Sequence, residues 1–476
     1  MELLFECQTN LGGMSGDLRF FQHMPRLHPE PVLVPDGDGD GKGVGIYGSV
    51  LPDGGKLRMW YYAMPRTVVK TADASFVAYA ESDDGVHWTK PALDVLDDAP
   101  PGSNLTNLGL HSATVFIDPD SPSSHRYRGV GCGKAYKNGN IHNIQQRGYY
   151  TAHSADGFRW ELDAPTPQWP SSDVITSIYH PGRRAGLIAL KYTPHWMRFA
   201  RRSIHTAKFR DGRYTDDVPA LYPDEFDDVC AATRGYHSCD YYGMGMMPVG
   251  QGTVGFLWKY WHALPYSGGF GSGQQALYGT SDVALVYQPS PGGKWFHVPG
   301  RPNFIDHDAL PWTRGWVNTA SNVIEVGGEQ RIYFSGRLMP HGFGLDERWQ
   351  HTPDHELVFK GSGITFASWP KWRLFGIEAL SGGIVKIQLG RIEKASEVFL
   401  NYELVRPDGY VRAELTGGGN EPIADRKLEG SVALTGNSTA EKVAWKTGAR
   451  IQPAQSVRLA LHMRFARVYA YEVRPA

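Results

Sequence analysis

The amino-acid sequence predicts an all-β fold, a five-bladed β-propeller followed by a C-terminal β-sandwich. Three observations predict it. A strand–turn–strand unit recurs five times along the chain. A Ser-x-Asp-Gly-x-x-Trp turn follows the first two units, and degenerate copies follow the third and fourth. The composition fits many short strands: 56 Gly and 32 Pro supply turns, and 14 Trp with 24 Tyr supply broad rings for packing between sheets.

The clearest unit is the fourth, Asp240 to His262. Pro248-Val249-Gly250-Gln251-Gly252 forms its turn, because Pro fixes φ and Gly permits positive φ. Gly255 to Trp261 then reads as an apolar, aromatic strand. The first unit runs from Ile46 to Tyr62 and turns at Pro52-Asp53-Gly54-Gly55. The second runs from Ala113 to Val130 through Asp118-Pro119-Asp120. The third runs from Ile175 to Tyr192 through His180-Pro181-Gly182. The fifth runs from Asn318 to Gly336 through Val326-Gly327-Gly328. This spacing is long for a repeat but suits a four-stranded unit with long loops.

Each unit continues into a further strand and a tight turn. Phe76 to Glu81 leads into Ser82-Asp83-Asp84-Gly85-Val86-His87-Trp88, and Tyr149 to His153 leads into Ser154-Ala155-Asp156-Gly157-Phe158-Arg159-Trp160. Looser copies stand at Lys208 to Tyr214 and at Ser290 to Trp295. Asp-Gly makes the turn and the aromatic residue packs on the next strand, so Asp84 and Asp156 read as structural. Residues 1–45 precede the first unit and are expected to wrap or close the ring. The propeller is assigned to 1–375. Beyond it, in 376–476, Ile384–Leu389, Val398–Val405, Val411–Leu415, Ser431–Leu434, Lys442–Trp445 and Val457–Val473 alternate apolar and polar residues between Gly-rich turns, which predicts the sandwich.

A net charge of −1 gives no global field for nucleic acid or an acidic membrane. No apolar run approaches membrane-spanning length. Met1 to Asn10 lacks a basic region followed by an apolar core, so no signal peptide is expected and a cytoplasmic location is. The four cysteines, Cys7, Cys132, Cys230 and Cys239, show no CxxC spacing, which argues against a zinc site and for free thiols. Trp and Tyr faces also stack on sugar rings, so the aromatic content suits a carbohydrate ligand as well as a core.

In a propeller the starts of the innermost strands and the loops after the second strands open on one face. Asp40, His111, Asp173, Asp240, Trp316 and Asn318 precede or begin the first strands; Arg66, His195, His262 and His341 follow the second strands. Two carboxylates facing one channel suit acid and base work, because their mutual field and burial separate their pKa values. Asp173 and Asp240 are therefore the expected catalytic pair, with Asp40 as a third acid. His111, His195, His262, His341, Arg66, Asn318 and Trp316 are expected to bind substrate. The histidine rim offers a metal-dependent alternative, though its spacing forms no closed motif. Asp36 to Gly41 alternates acids like a calcium loop, but Tyr47 stands where the bidentate Glu belongs, so no cofactor is expected and calcium is the alternative.

Val77 to Pro91, Tyr241-Tyr242-Gly243-Met244 and Ile332-Tyr333-Phe334-Ser335-Gly336 resemble the five-bladed propeller glycoside hydrolases of families 32 and 43, closest to bacterial family-32-like proteins. The resemblance spans residues 28–475. It implies hydrolysis of a glycosidic bond by paired carboxylates, with a short and furanosidic glycan or glycoside as substrate. The Trp-Met-Asn-Asp-Pro-Asn-Gly motif of family 32 is absent and its Glu-Cys acid motif is absent from the five repeats, so catalytic residues do not transfer one for one. Phe116-Ile117-Asp118-Pro119 looks like the Arg-Asp-Pro motif but lies in a turn on the opposite face. The rival reading is a propeller that binds carbohydrate without turnover.

Overall fold

The computed structural model describes residues 2–3, 11–66, 76–134, 141–170, 173–192, 201–263, 278–342 and 361–476. These are nearly all β. Five antiparallel meanders follow one another, and their first strands are β1 (Gly43–Asp53), β2 (His111–Ile117), β3 (Ile175–His180), β4 (Ser238–Val249) and β5 (Trp316–Val326). Each pairs with the strand that follows its hairpin turn: Lys56–Met64, Tyr127–Gly133, Ala185–Tyr192, Gly252–His262 and Glu329–Arg337. A third strand adds to each second one. The five hairpin turns lie where turn chemistry places them.

The five first strands stand side by side in a closed ring, and small polar side chains stitch each to the next. Ser49 Oγ lies 2.6 Å from Ser321 Oγ, joining β1 to β5. The same hydroxyl accepts the Val115 N–H at 2.9 Å, joining β1 to β2. Thr114 Oγ1 and Ser177 Oγ, 2.9 Å apart, join β2 to β3. The Thr176 hydroxyl donates to the Met244 carbonyl on β4. Met246 on β4 bridges Asn322 on β5. Strand ends crowd at such an axis, and Ser, Thr and Gly permit the approach: a Cβ on Gly245 would meet the Ala320 carbonyl oxygen at 2.5 Å.

Large aromatics fill the wedges between sheets. Trp60, Tyr79, Tyr127 and Trp160 pack between the first and second meanders; Phe116, Tyr149, Trp169 and Phe209 pack between the second and third. Trp60, Trp169, Trp258, Trp261 and Trp369 are fully buried, so much of the aromatic content is core. The Asp-Gly turns lock neighbouring sheets. Ser82 Oγ accepts the Gly85 N–H and Asp84 Oδ1 accepts those of Val86 and His87; Ser154 and Asp156 repeat the pattern. The Gly157 carbonyl then accepts Trp60 Nε1 at 2.7 Å, and the Gly85 carbonyl accepts the Tyr333 hydroxyl at 2.6 Å. Gly157 sits at φ +84°, and an added Cβ would meet Trp60 Cζ2 at 2.7 Å. Gly157→Ala is therefore expected to destabilise the fold by about 1–3 kcal/mol through overpacking alone, read as a lower urea midpoint.

The chain's N-terminal segment serves two sheets. Arg26–Leu27 pairs with Gly363–Pro370 as the outer strand of the fifth meander. Leu11–Gln22 pairs along Phe375–Ile392 in the C-terminal sheet. That sheet runs Tyr410–Thr416, Ala454–Arg464, Phe375–Ile392, Ala466–Pro475, Ser396–Leu404, Asn437–Lys442, around its own core of Val385, Leu400, Val411, Trp445, Leu459 and Val468. Val457–Val473, read as one stretch, breaks in two at Phe465, where φ is +44°. Ser431–Leu434 and Lys442–Trp445 contribute isolated bridges, and the strand between them is Asn437–Lys442. One helix, α1 (Glu225–Thr233), was not expected; the Asp224 carboxylate caps its N–H groups and Asp227 reciprocates.

Candidate active site

The starts of the inner strands and the ends of the second strands surround a cavity of about 340 Å³. β1 contributes Tyr47, β2 His111, the residue just before β3 Asp173, β4 Tyr242, and β5 Trp316 and Asn318. Tyr62, Lys134, Arg147, Ser335, Arg337 and His341 come from the second strands and the loops beyond them. The convergence expected from the repeat thus joins His111, Asp173, Asn318, Trp316 and His341. Among the described residues, Asp173 is the one carboxylate that lines this cavity.

Asp173 has φ +118°, a backbone conformation that L residues rarely adopt. Its carboxylate forms an ion pair with Lys191 Nζ and lies 3.2 Å from His111 Nε2. The Tyr242 hydroxyl stands 3.5 Å from its Oδ2. Burial opposes ionisation of Asp173, but the Lys191 ammonium and the His111 ring overcome it and hold the carboxyl well below the usual carboxylate range. Burial pushes His111 down from its ordinary value, against the pull of Asp173, and its Nε2 faces the carboxylate. Lys191 is 5% exposed and sits 4.1 Å from the Tyr242 ring centroid. An ionised carboxylate in this setting suits a nucleophile or a base, since it carries no proton to give.

Rings form one wall. Tyr242 meets Trp316 edge-on at 5.2 Å and stacks on Tyr260 at 5.2 Å, while Tyr47 lies 5.9 Å from His111. His341 Nε2 is 3.2 Å from the Tyr242 hydroxyl, and backbone bonds with Gly279 fix its position. Asn318 Oδ1 accepts Trp316 Nε1 and Ser335 Oγ, each at 2.9 Å. Because the indole can only donate, the amide oxygen must face it. The Asn318 Nδ2 group is left without a hydrogen-bond partner among the described residues.

The structure takes other candidates elsewhere. Asp240 is 1% exposed and does not line the cavity; its Oδ2 lies 3.1 Å from His262 Nε2 and 3.3 Å from Arg202, and its Oδ1 3.4 Å from Arg201. His262 is fully buried with it. Burial raises the Asp240 pKa, but His262 and the two arginines more than offset this and bring it to about 2. Asp40 is also fully buried, accepting the Tyr61 hydroxyl at 2.7 Å and Lys90 Nζ at 2.5 Å. Lys90 also pairs with Asp36, so an ammonium sits between the acids that the sequence offered to calcium. Arg66 donates to the Asp36 carbonyl and braces that loop, away from the cavity. His195 lies outside the described residues. Among the described residues no three His, Cys, Asp or Glu side chains group as a metal site. Cys132, Cys230 and Cys239 are free thiols, and no described helix is long and apolar enough to cross a membrane.

Tyr47, Tyr242 and Lys191 were not picked out as site residues. Lys191 left a signal: it is the one charge in the apolar strand Ala185–Tyr192.

No known family profile matches the chain, and no curated protein does. Solved structures similar to it are glycoside hydrolases. A glycosyl hydrolase from Bacteroides ovatus is 12% identical, with 74% of this chain and 95% of that one covered at a TM-score of 0.44. An exo-inulinase from Aspergillus awamori is 11% identical, with 94% and 99% covered at 0.39. A structure from the family of mannoside phosphorylases that contains hydrolases of β-1,2-mannosidic linkages is 12% identical, with 78% and 96% covered at 0.44.

Proposed function

We propose that the chain is a five-bladed propeller, residues 1–375, with a C-terminal sandwich, 376–476, and that its cavity cleaves a glycosidic bond in a short glycan or glycoside. The ring of five inner strands supports the architecture. One observation carries the chemistry: an ionised Asp173, on strained backbone, faces a ring-lined cavity and is held there by Lys191 and His111. Asp173 acts as nucleophile or base. Tyr47 and Tyr62, half-buried in the lining, offer ring surface for a sugar, and Lys134, Arg147 and Arg337 offer donors for its hydroxyls. Asp240 is a positioning residue. It holds Arg202, whose guanidinium stacks 5.4 Å from Tyr242 and 5.0 Å from Tyr260.

The test is turnover of aryl glycosides and oligosaccharides across sugar classes, with and without a chelator. Turnover by the purified protein, indifferent to the chelator and lost in Asp173→Asn, is the expected result. Turnover that the chelator abolishes returns the argument to the histidine rim. A second reading, carbohydrate binding without cleavage, draws on the pairing of Asp173, the single carboxylate among the described residues of the cavity lining, with Lys191. Glycan-array binding that survives Asp173→Asn, with no turnover, establishes it.

A further inference from the structure

A second cavity, of about 610 Å³, lies between the third and fourth meanders, beside their hairpin turns and so at the opposite end from Asp173. Its wall includes Arg183, Lys208, Asp216, Gln288, Lys294 and Trp295. Arg183 follows the turn at Pro181-Gly182 and is 8% exposed. Its guanidinium donates from Nε to the Gln251 carbonyl at 2.8 Å and from Nη1 to Gln288 Oε1 at 3.0 Å. Both acceptors are neutral. Its Nη2 has no partner among the described residues, and none of their carboxylates lies within ion-pair distance of it. Burial lowers its pKa to about 10. The other buried arginines, Arg128, Arg202 and Arg373, each have an acid within ion-pair distance: Asp163, Asp240 and Glu403. A buried charge without a counter-charge is costly, and removing the partner of one is strongly destabilising.

Trp295 Nε1 is a second buried donor without a partner among the described residues. Lys208 and Lys294 stand exposed on the same wall, against one acid, Asp216. The wall is thus cationic, with two spare N–H donors from a guanidinium and an indole. We propose that this groove is a second binding site, distinct from the cavity at Asp173, which takes the oxyanion group of a small molecule, a phosphate or a carboxylate, as counter-ion to Arg183. The unpartnered Nη2 of the guanidinium suits one oxygen of either group, and the Trp295 N–H and the two lysines suit the others.

The test follows the Trp295 indole N–H by ¹⁵N–¹H NMR, assigned with Trp295→Phe, while the whole chain is titrated with inorganic phosphate, glucuronate and neutral glucose at constant ionic strength. Phosphate, glucuronate or both should move the Trp295 signal saturably, and glucose should not. Movement with only one anion identifies the group. Arg183→Met should weaken binding by at least about tenfold, since a charge-assisted hydrogen bond is lost. Asp173→Asn should leave the titration unchanged, which separates this site from the glycan cavity whether or not that cavity cleaves anything. Should Arg183→Met fail to fold, the exposed pair Lys208→Glu and Lys294→Glu serves instead and should also weaken binding. A Trp295 signal that no anion moves, that glucose moves equally, or whose titration is unchanged in folded Arg183→Met or in Lys208→Glu with Lys294→Glu overturns the proposal.

Discussion

Asp173→Asn is expected to reduce turnover of the glycoside substrate by about 10²–10⁴-fold, the usual worth of a positioned base or acid, while substrate binding changes little. The amide keeps the shape and loses the charge. It also leaves Lys191, 5% exposed, facing a neutral neighbour, so a structural loss of about 1–3 kcal/mol is expected beside the chemical one. Lys191→Met separates the two. It retains the carboxylate but removes the ammonium that opposes the effect of burial, so the Asp173 pKa rises. In the wild type Asp173 stays ionised well below the usual carboxylate range, and turnover should hold as pH falls through 5 and 4 on the scale of ordinary carboxyl groups. In Lys191→Met the acid limb of kcat/KM should move to higher pH. An Asp173→Asn enzyme within about tenfold of wild type, or a Lys191→Met limb that does not move, removes Asp173 from the chemistry.

The hairpins were legible because their turns are chemically explicit. Pro52-Asp53-Gly54-Gly55 and Pro248 to Gly252 admit few conformations, and the strands on either side follow. Convergence of the strand starts on one cavity followed from the repeat. Which side chain points there did not follow, because four of the five inner strands lose regular register between turn and cavity. The breaks fall between Gly45 and Ser49, His111 and Thr114, Tyr241 and Gly243, and Thr319 and Val323; only β3 pairs without one. The breaks at Tyr241–Gly243 and His111–Thr114 insert one residue and so defeat counting by twos from the turn, and the other two insert two residues and displace the count along the strand. Tyr242 is the extra residue of such a bulge, and it lines the cavity while Asp240, counted to that place, lies in the wall. Ser112, at φ +52°, marks another of the breaks. The Asp-Gly turns were read correctly as structural, since Asp84 and Asp156 spend their oxygens on the N–H groups just ahead. Helix α1 was hidden because its signal is the short Asp224-x-x-Asp227 cap and not an apolar stripe.

Asp240→Ala is expected to act on stability first. Its carboxylate closes a buried cluster with Arg201, Arg202 and His262, and Arg202 is itself buried. Removing it strands a positive charge in the wall and should cost about 3–5 kcal/mol, visible in denaturant and as a lowered Tm. The pH dependence follows from the depressed pKa. The carboxyl is bound as the anion in the fold, near pKa 2 against an ordinary value of 3.8. The unfolded chain therefore takes up the proton first as pH falls, so the stabilisation is fully present above 3.8 and fades as pH drops towards 2. Wild type should lose stability in that window, and Asp240→Ala should lose less there, having lost it already at neutral pH. Turnover measured well below the variant's melting point should fall less than in Asp173→Asn, because Asp240 reaches the cavity only through Arg202 and Tyr242. If Asp240→Ala is as stable as wild type and yet inactive, the carboxylate in the wall is the reacting one, and the cavity must open towards it when substrate binds.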